Sequence, residues 1–395
     1  MALDIVIVSL LIPTVFATAS FAQSATGQSS AIQNIGVYIG TNTQRGDSKG
    51  IYRSTLDMKS GQLTPPELAA EATNPNFIAI HPSRKFLYAV GSKPAPNPSQ
   101  HGVVTAYAID PATGNLRFLN YQSSGGAGPA YVNVDRIGAN ALVANYAGGS
   151  VGVLPIGSDG SLSPMSSFVQ HEGSGPNVKR QDAPHAHSVY VDPANRFAFV
   201  CDLGADKIVV YRYDATRGTI SPNDPPSVSV APGAGPRHFA FHPDGKHAYV
   251  INELNSTVTA FNYDADRGAL EMTQTVSTLP PGVDAAAVGN TTAEVVVHPS
   301  GKFLYGSNRG HNSIAIFAID PSTAQLSPLG HQGSGIKVPR NFNIDPTGTW
   351  LLVANQEGDN VNVFRIDANS GMLAPTGQPI AVAKPVCIKF WTPEG

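Results

Sequence analysis

The sequence predicts an all-β fold, a seven-bladed β-propeller with four antiparallel strands per blade. Three observations predict it: one short pattern repeated seven times, a second element repeated in step with it, and a third displaced at one copy to the far end of the chain. In the first, apolar-x-apolar-x-Asp leads into a Gly turn and Leu: IYRSTLDMKSGQL, VTAYAIDPATGNL, VGVLPIGSDGSL, IVVYRYDATRGTI, VTAFNYDADRGAL, IAIFAIDPSTAQL and VNVFRIDANSGML. Just upstream of each lies an aromatic or aliphatic pair before a small polar residue: YIGTN, YAVGS, LVANY, FVCDL, YVINE, YGSNR and LVANQ. The copies recur about every fifty residues, and a fixed period marks a repeat architecture.

The third element is a short alternating run that usually ends in His-Pro or Asp-Pro. NFIAIHP, AYVNVD, HSVYVDP, HFAFHP, EVVVHP and NFNIDP precede their partners, whereas the seventh, KPVCIKFW, runs from Lys384 to Trp391. Period-2 alternation, β-branched and aromatic content and Gly/Pro/Asp punctuation make all three elements strands. A weaker fourth strand follows each Gly-Leu turn, LEMTQTVST for example. Seven such units form a propeller. The displaced strand is its closure: the first blade takes its innermost strand from the C-terminus, which protects that blade's edge. We therefore expect one propeller domain, residues 23–395.

Before it, MALDIVIVSLLIPTVFATASFAQSA is an apolar run ending in the small-x-Ala pattern Ser20-Phe21-Ala22, read as a cleaved secretory signal over residues 1–22. No Lys or Arg precedes the run and Asp4 stands where a positive charge belongs. The expected location is periplasmic or secreted, with no membrane attachment after cleavage. A net charge of -3 and a pI near 6.4 argue against nucleic acid or an anionic membrane as partner. A small molecule is the expected partner and a monomer the expected state. The two cysteines, Cys201 and Cys387, fall in different blades, so no bridge is expected. No Cys-x-x-Cys or His-Glu-x-x-His is present, and the reading requires neither metal nor cofactor, with a divalent cation held by Asp and Asn at the rim left open.

The seven copies serve as an internal control, because a residue type shared by most copies is explained by the fold. His81, His242 and His298 stand where other copies have Asp135, Asp192 and Asp345, before Pro or its equivalent, and read as turn residues. Asn145, Asn252, Asn308 and Asn355, with Asp202, share one place after the second strand and are mostly turn chemistry, with side chains able to face the channel mouth. Two positions deviate. Early in the innermost strand the copies carry Asn76, Ala130, His187, Arg237, Ala293, Arg340 and Val386; after the second strand they carry Asn42, Ser92, Tyr146, Leu203, Glu253, Arg309 and Gln356.

In a propeller both positions converge on one rim of the channel. A structural pairing such as Arg237 with Glu253 accounts for part of this set, yet three Arg against one Glu leave an excess of cation. His238 and Glu294 lie one residue further along and are expected on the opposite side of the pleat, as supporting partners or interblade hydrogen bonds. Tyr146 and Gln356 are rim candidates. The polar loop HEGSGPNVKRQDAPHAHS, His171 to Ser188, enters the fourth blade and delivers His187, with His185 as a neighbour on the same face. His171 is the weakest histidine candidate for the site, and Lys179 and Arg180 are candidates to extend the cationic rim, with Lys179 read first as solvated loop surface.

The combination GSGPN, RQDAPHAHS, GPRHFAFHPDGKHAYVINEL, AEVVVHPSGKFLYGSNRG and PRNFNIDPTGTWLLVANQ resembles the lactonase family of seven-bladed propellers. The resemblance implies 6-phosphogluconolactonase activity, with a fungal branch that cycloisomerises 3-carboxymuconate. It also implies a catalytic set of His187, Arg237, Glu253 and Arg309 at the channel mouth. Substrate contacts are expected from Arg340, His185, His238, Glu294, Asn145 and Gln356. On this reading Glu253 or His187 activates water, Arg237 or Arg309 holds the oxyanion, and the remaining guanidiniums clamp an anionic or hydroxyl-rich lactone. A serine triad is disfavoured by the lack of a Gly-x-Ser-x-Gly elbow. The export signal departs from a cytoplasmic phosphorylated substrate, so cycloisomerisation and non-catalytic binding stand as alternatives.

Overall fold

The computed structural model describes residue 1 and residues 33–92 and 102–392. Among these, twenty-eight strands, β1 to β28 in chain order, form seven four-stranded antiparallel sheets. The innermost strands are β4 (Ile78–Ile80), β8 (Pro129–Val134), β12 (Ala186–Val191), β16 (Pro236–Phe241), β20 (Thr292–Val297), β24 (Pro339–Ile344) and β28 (Pro385–Trp391). Each touches the next, β24 touches β28 and β28 touches β4, so the sheets close a ring. The signal assigned to residues 1–22 lies outside the described residues except for Met1. Among the described residues no helix is long and apolar enough to cross a membrane.

The closure is as the displaced strand predicts. In the first blade β28 pairs antiparallel with β1 (Asn34–Thr41), from Gly36 opposite Trp391 to Gly40 opposite Cys387. Gly36 is required there, because a Cβ would meet Trp391 Cε3 at 2.7 Å. The Trp391 indole N–H donates to the Arg84 carbonyl at 2.8 Å and so ties the seam to the second blade. Cys201 and Cys387 are buried and unbridged.

Apolar faces of neighbouring blades form the core, and buried tyrosines stitch them. Tyr38, Tyr88, Tyr249 and Tyr305 each donate a hydroxyl to a turn carbonyl of the following blade, at 2.7 to 2.9 Å. The turn histidines do the same: Nε2 of His81, His242 and His298 reaches the carbonyls of Gly138, Gly301 and Gly348. That use confirms them as parts of the frame.

What positions the site is a bulge near the start of the innermost strands. Pairing skips one residue at Ala130, His187, Arg237, Arg340 and Val386, and two at Ala293–Glu294. A bulged residue is left out of the ladder and its side chain is re-aimed. The first deviant set from the repeat comparison therefore coincides with the bulges in six of the seven blades. The second set is locked beside it: the amides of Asn42, Tyr146, Leu203, Glu253, Arg309 and Gln356 each donate to the carbonyl two residues before a bulge, at 2.7 to 3.0 Å.

Candidate active site

The bulged residues open onto a cavity of about 190 Å³ at the channel mouth, lined by His187, Arg237, His238, Arg340, Asn341 and Tyr146 among others. Glu253 organises the cations around it. Its Oε2 accepts from Arg237 Nε at 2.9 Å and pairs with Arg309 Nη2 at 3.0 Å, while Oε1 takes Arg180 Nη2 at 2.5 Å. Burial alone would raise this carboxyl. The three guanidiniums prevail and hold it well below the usual carboxylate range, so Glu253 is a fixed anion with little basicity.

Arg237 is held on both sides, since its Nη1 also donates to the Ala293 carbonyl at 2.6 Å and approaches His238 Nε2 at 3.3 Å. His238 Nδ1 donates to Glu294 Oε1 at 2.8 Å, and the Asn341 amide donates to the other carboxylate oxygen. Asn341 in turn accepts the Ile388 N–H at 2.8 Å, so the network runs from the closing strand to the fifth blade. Burial pushes His238 down to about 4 against the pull of Glu294, and the ring is neutral at pH 7.

The expectation that His238 lies across the pleat from Arg237 is corrected here. His238 lines the same cavity as Arg237, because the bulge adds a residue and breaks strict alternation. Phe77 and Asn341, at the same offset in their own blades, line the cavity as well. Phe77 and Tyr131 stack at 3.9 Å and both meet His238 edge-on.

His187 is 5% exposed and its Nδ1 is buried without a hydrogen-bond partner among the described residues. Burial first, then the charges of Arg237, Arg340 and Arg309 and the ring of His238, push its pKa well below the ordinary histidine value. It stands as a neutral imidazole at a cationic opening. Arg340 makes no hydrogen bond or ion pair among the described residues. Burial and the neighbouring guanidiniums push it down to about 9, still a cation at neutral pH. Four guanidiniums, Arg180, Arg237, Arg309 and Arg340, thus face two carboxylates, Glu253 and Glu294.

Two expected contacts, Asn145 and Gln356, fall elsewhere, and so does His171. Asn145 is fully buried and its amide is spent on the Ser124 carbonyl and Ser150 Oγ, so it braces a blade instead of facing the mouth. Gln356 is buried at the rim but does not line the cavity. His171 is bound by Asp202 at 2.6 Å and by the Tyr211 hydroxyl at 2.9 Å, which makes it a frame residue. His185 lies against the site: it stacks on Tyr146 at 4.6 Å and donates from Nδ1 to the Tyr146 carbonyl at 2.9 Å.

Arg180 is more central than the sequence indicates, since it reaches both Glu253 and the Tyr146 hydroxyl. Gln181 anchors its loop by donating to the Leu203 carbonyl and to Asp206 Oδ1. Asn341 was also missed, although its offset from Arg340 is that of His238 from Arg237.

Comparison with known proteins fits this geometry. Residues 36–390 match the family described as lactonase, 7-bladed beta-propeller. The chain belongs to that lactonase family. It is 37% identical to the 6-phosphogluconolactonase of Bacillus subtilis (strain 168) over 353 residues, covering 89% of this chain and 97% of the relative. It is 33% identical to the 6-phosphogluconolactonase of Formosa agariphila over 78% of this chain and 86% of that one. The solved structure of the Pseudomonas aeruginosa periplasmic gluconolactonase superposes with a TM-score of 0.84 at 31% identity, over 91% of this lactonase-family chain and 100% of that one.

Proposed function

We propose that the protein is a lactone hydrolase that opens a sugar-acid lactone at the channel mouth, as the names of its relatives indicate for them. The observation that carries the catalytic reading is His187, a buried neutral imidazole with an unpartnered nitrogen beside guanidiniums that stay charged. Neutral imidazole accepts the proton of a water as that water attacks the lactone carbonyl, a contribution of about 10² to 10⁴ in rate. The negative charge that develops on the carbonyl oxygen is met by Arg340, the guanidinium of the cavity lining without a partner among the described residues, with Arg237 beside it; a preorganised donor of this kind is worth about 3 to 4 kcal/mol. Collapse breaks the ring C–O bond, and the imidazolium returns its proton to the departing alkoxide. Water is consumed and the hydroxy acid released.

Glu253 is assigned the holding of three arginines and not the base, because its basicity is lost to them. Arg180 and Arg309 bind carboxylate, phosphate or hydroxyl groups of the substrate. The apolar run over residues 1–22, read as a signal, and the periplasmic gluconolactonase relative support an exported enzyme acting on an unphosphorylated lactone.

The test is pH-stat hydrolysis of gluconolactone and 6-phosphogluconolactone by wild type and by His187→Gln. Loss of turnover with lactone still raising the melting temperature is expected. Wild-type turnover in the variant would overturn the role of His187. Ultraviolet loss of carboxymuconate, or ligand stabilisation without any turnover in wild type, would replace hydrolysis by cycloisomerisation or binding.

A further inference from the structure

The repeat that explains most histidines fails at one turn far from the cavity. In blades two and six the hairpin after the innermost strand reads His81-Pro-Ser83 and His298-Pro-Ser300, followed by Phe86 and Phe303 at the fifth place. Both histidines carry their proton on Nε2, because that atom faces a carbonyl, which only accepts. Their Nδ1 lone pairs are then satisfied by Ser83 Oγ at 2.7 Å and Ser300 Oγ at 2.8 Å, hydroxyls that donate.

The fifth blade keeps the histidine and changes both neighbours. His242 Nε2 donates to the Gly301 carbonyl at 2.9 Å, which again leaves a lone pair on Nδ1. That lone pair faces Asp244 Oδ1 at 3.0 Å, an acceptor with no proton to give, while His247 in place of Phe sets its Nδ1 2.7 Å from Asp244 Oδ2. Asp244 Oδ1 also accepts the Lys246 N–H at 2.8 Å, so the carboxylate is in use as an acceptor throughout the turn. The weak approach of the Asp244 amide, 3.3 Å from His242 Nδ1, does not remove the clash of acceptors. A proton on the ring or a metal ion between the two atoms relieves this approach.

We propose that His242, Asp244 and His247 form a site for a divalent transition metal of the zinc class, on the face opposite the cavity. One donor atom from each lies within 4.8 Å of the others. Two ligands at 2.0 to 2.1 Å on a tetrahedral zinc sit about 3.4 Å apart, so a small rotation of the two partly exposed imidazoles closes the set. The His242 Nε2–Gly301 hydrogen bond is the arrangement that orients metal-ligating histidines, and here it comes from the next blade. Two imidazoles and one carboxylate suit Zn²⁺, Ni²⁺ or Cu²⁺ and not Ca²⁺ or Mg²⁺, which take oxygen ligands. The bound ion would clamp the β16–β17 hairpin of the fifth blade, hold His242 in its hydrogen bond to Gly301 of the sixth, and leave the lactone site untouched.

The experiment is calorimetric titration of tag-free protein with Zn²⁺ in a non-chelating buffer, repeated on Asp244→Ser and His247→Phe, which install the sister turns' residues. One equivalent is expected at sub-millimolar Zn²⁺, weakened at least about tenfold in each variant, with a Zn²⁺-dependent rise in melting temperature in wild type only. Lactone turnover should be the same in all three. Absence of binding in wild type overturns the proposal. So does binding that persists in both variants and is lost with His311→Ala, which would put the ion at the His311–His331 pair, whose rings lie 5.7 Å apart.

Discussion

Glu253→Gln separates an organiser from a base. The substitution keeps the side chain's shape and removes a charge that is 5% exposed and holds Arg237, Arg309 and Arg180. An amide turns a donor toward donors, and losing one member of a buried pair costs about 3 to 5 kcal/mol. With an unfolding entropy of about 2.1 cal/mol/K per residue, a unit spanning Gln33–Gly395 has roughly 0.75 kcal/mol/K, so the melting temperature should fall by about 4 to 7 °C. Freed guanidiniums also lose register with the substrate, and displacement by about 1 Å costs on the order of 10² in rate. Thermal melts beside pH-stat kinetics read both effects, and acetate or formate should partly restore the melting temperature of Glu253→Ala by refilling the anion position. An unchanged melting temperature with loss confined to kcat would make Glu253 the base and refute the assignment of that role to His187.

Arg340→Met should lower kcat/KM about 10- to 150-fold, from about 1.5 to 3 kcal/mol for hydrogen bonds to a charged group, yet leave the melting temperature equal or higher because an unpaired cation is removed. The kcat/KM profile should stay flat from pH 8 down to 6.5 and fall only below, since His187 in the free enzyme titrates below the ordinary histidine value; binding of an anionic ligand should move the kcat limb upward. Stability should decline as pH falls from 6.5 toward 4. His238 is neutral in the folded state and about 4 there, the unfolded ring binds the extra proton, and the loss is about 2 kcal/mol by pH 5; His238→Asn should flatten that slope in urea titrations. Mass spectrometry of exported protein should find a mature N-terminus at Gln23. Chain retained in the cytoplasm with Met1 in place would remove the argument for an unphosphorylated substrate.

The fold was legible because its signals are local and repeated: alternation, turns and the His or Asp before Pro occur in nearly every copy, and the displaced KPVCIKFW exposed the closure. The ring of candidate residues was legible for a related reason. A frame position is filled by what the frame needs, and His187, Arg237 and Arg340 meet no such need. What repetition does not carry is the direction of a side chain. Alternation put His238 and Glu294 behind the pleat, whereas a bulge whose only trace is its extra residue put His238 on the cavity. The same limit misplaced Asn145, which shares its position with Asn252 and Asn308 and, like them, spends its amide on frame hydrogen bonds, within the blade or to the connection that enters it.

The bulge also explains why the site can vary while the propeller persists. A residue in the ladder is constrained by its cross-strand partner and by the face it occupies, but a bulged residue has no partner and is aimed at the channel. Ala130 and Val386 fill that place in two blades and His187, Arg237 and Arg340 in three others, with the following strand pairing unchanged. Chemistry can be exchanged there without disturbing the sheets. The cost falls on electrostatics, because four guanidiniums gathered at one mouth repel each other, and Glu253 is the one carboxylate that touches three of them. Arg340 is left without a carboxylate partner among the described residues, and on the proposed mechanism the oxyanion that develops on the lactone carbonyl supplies one.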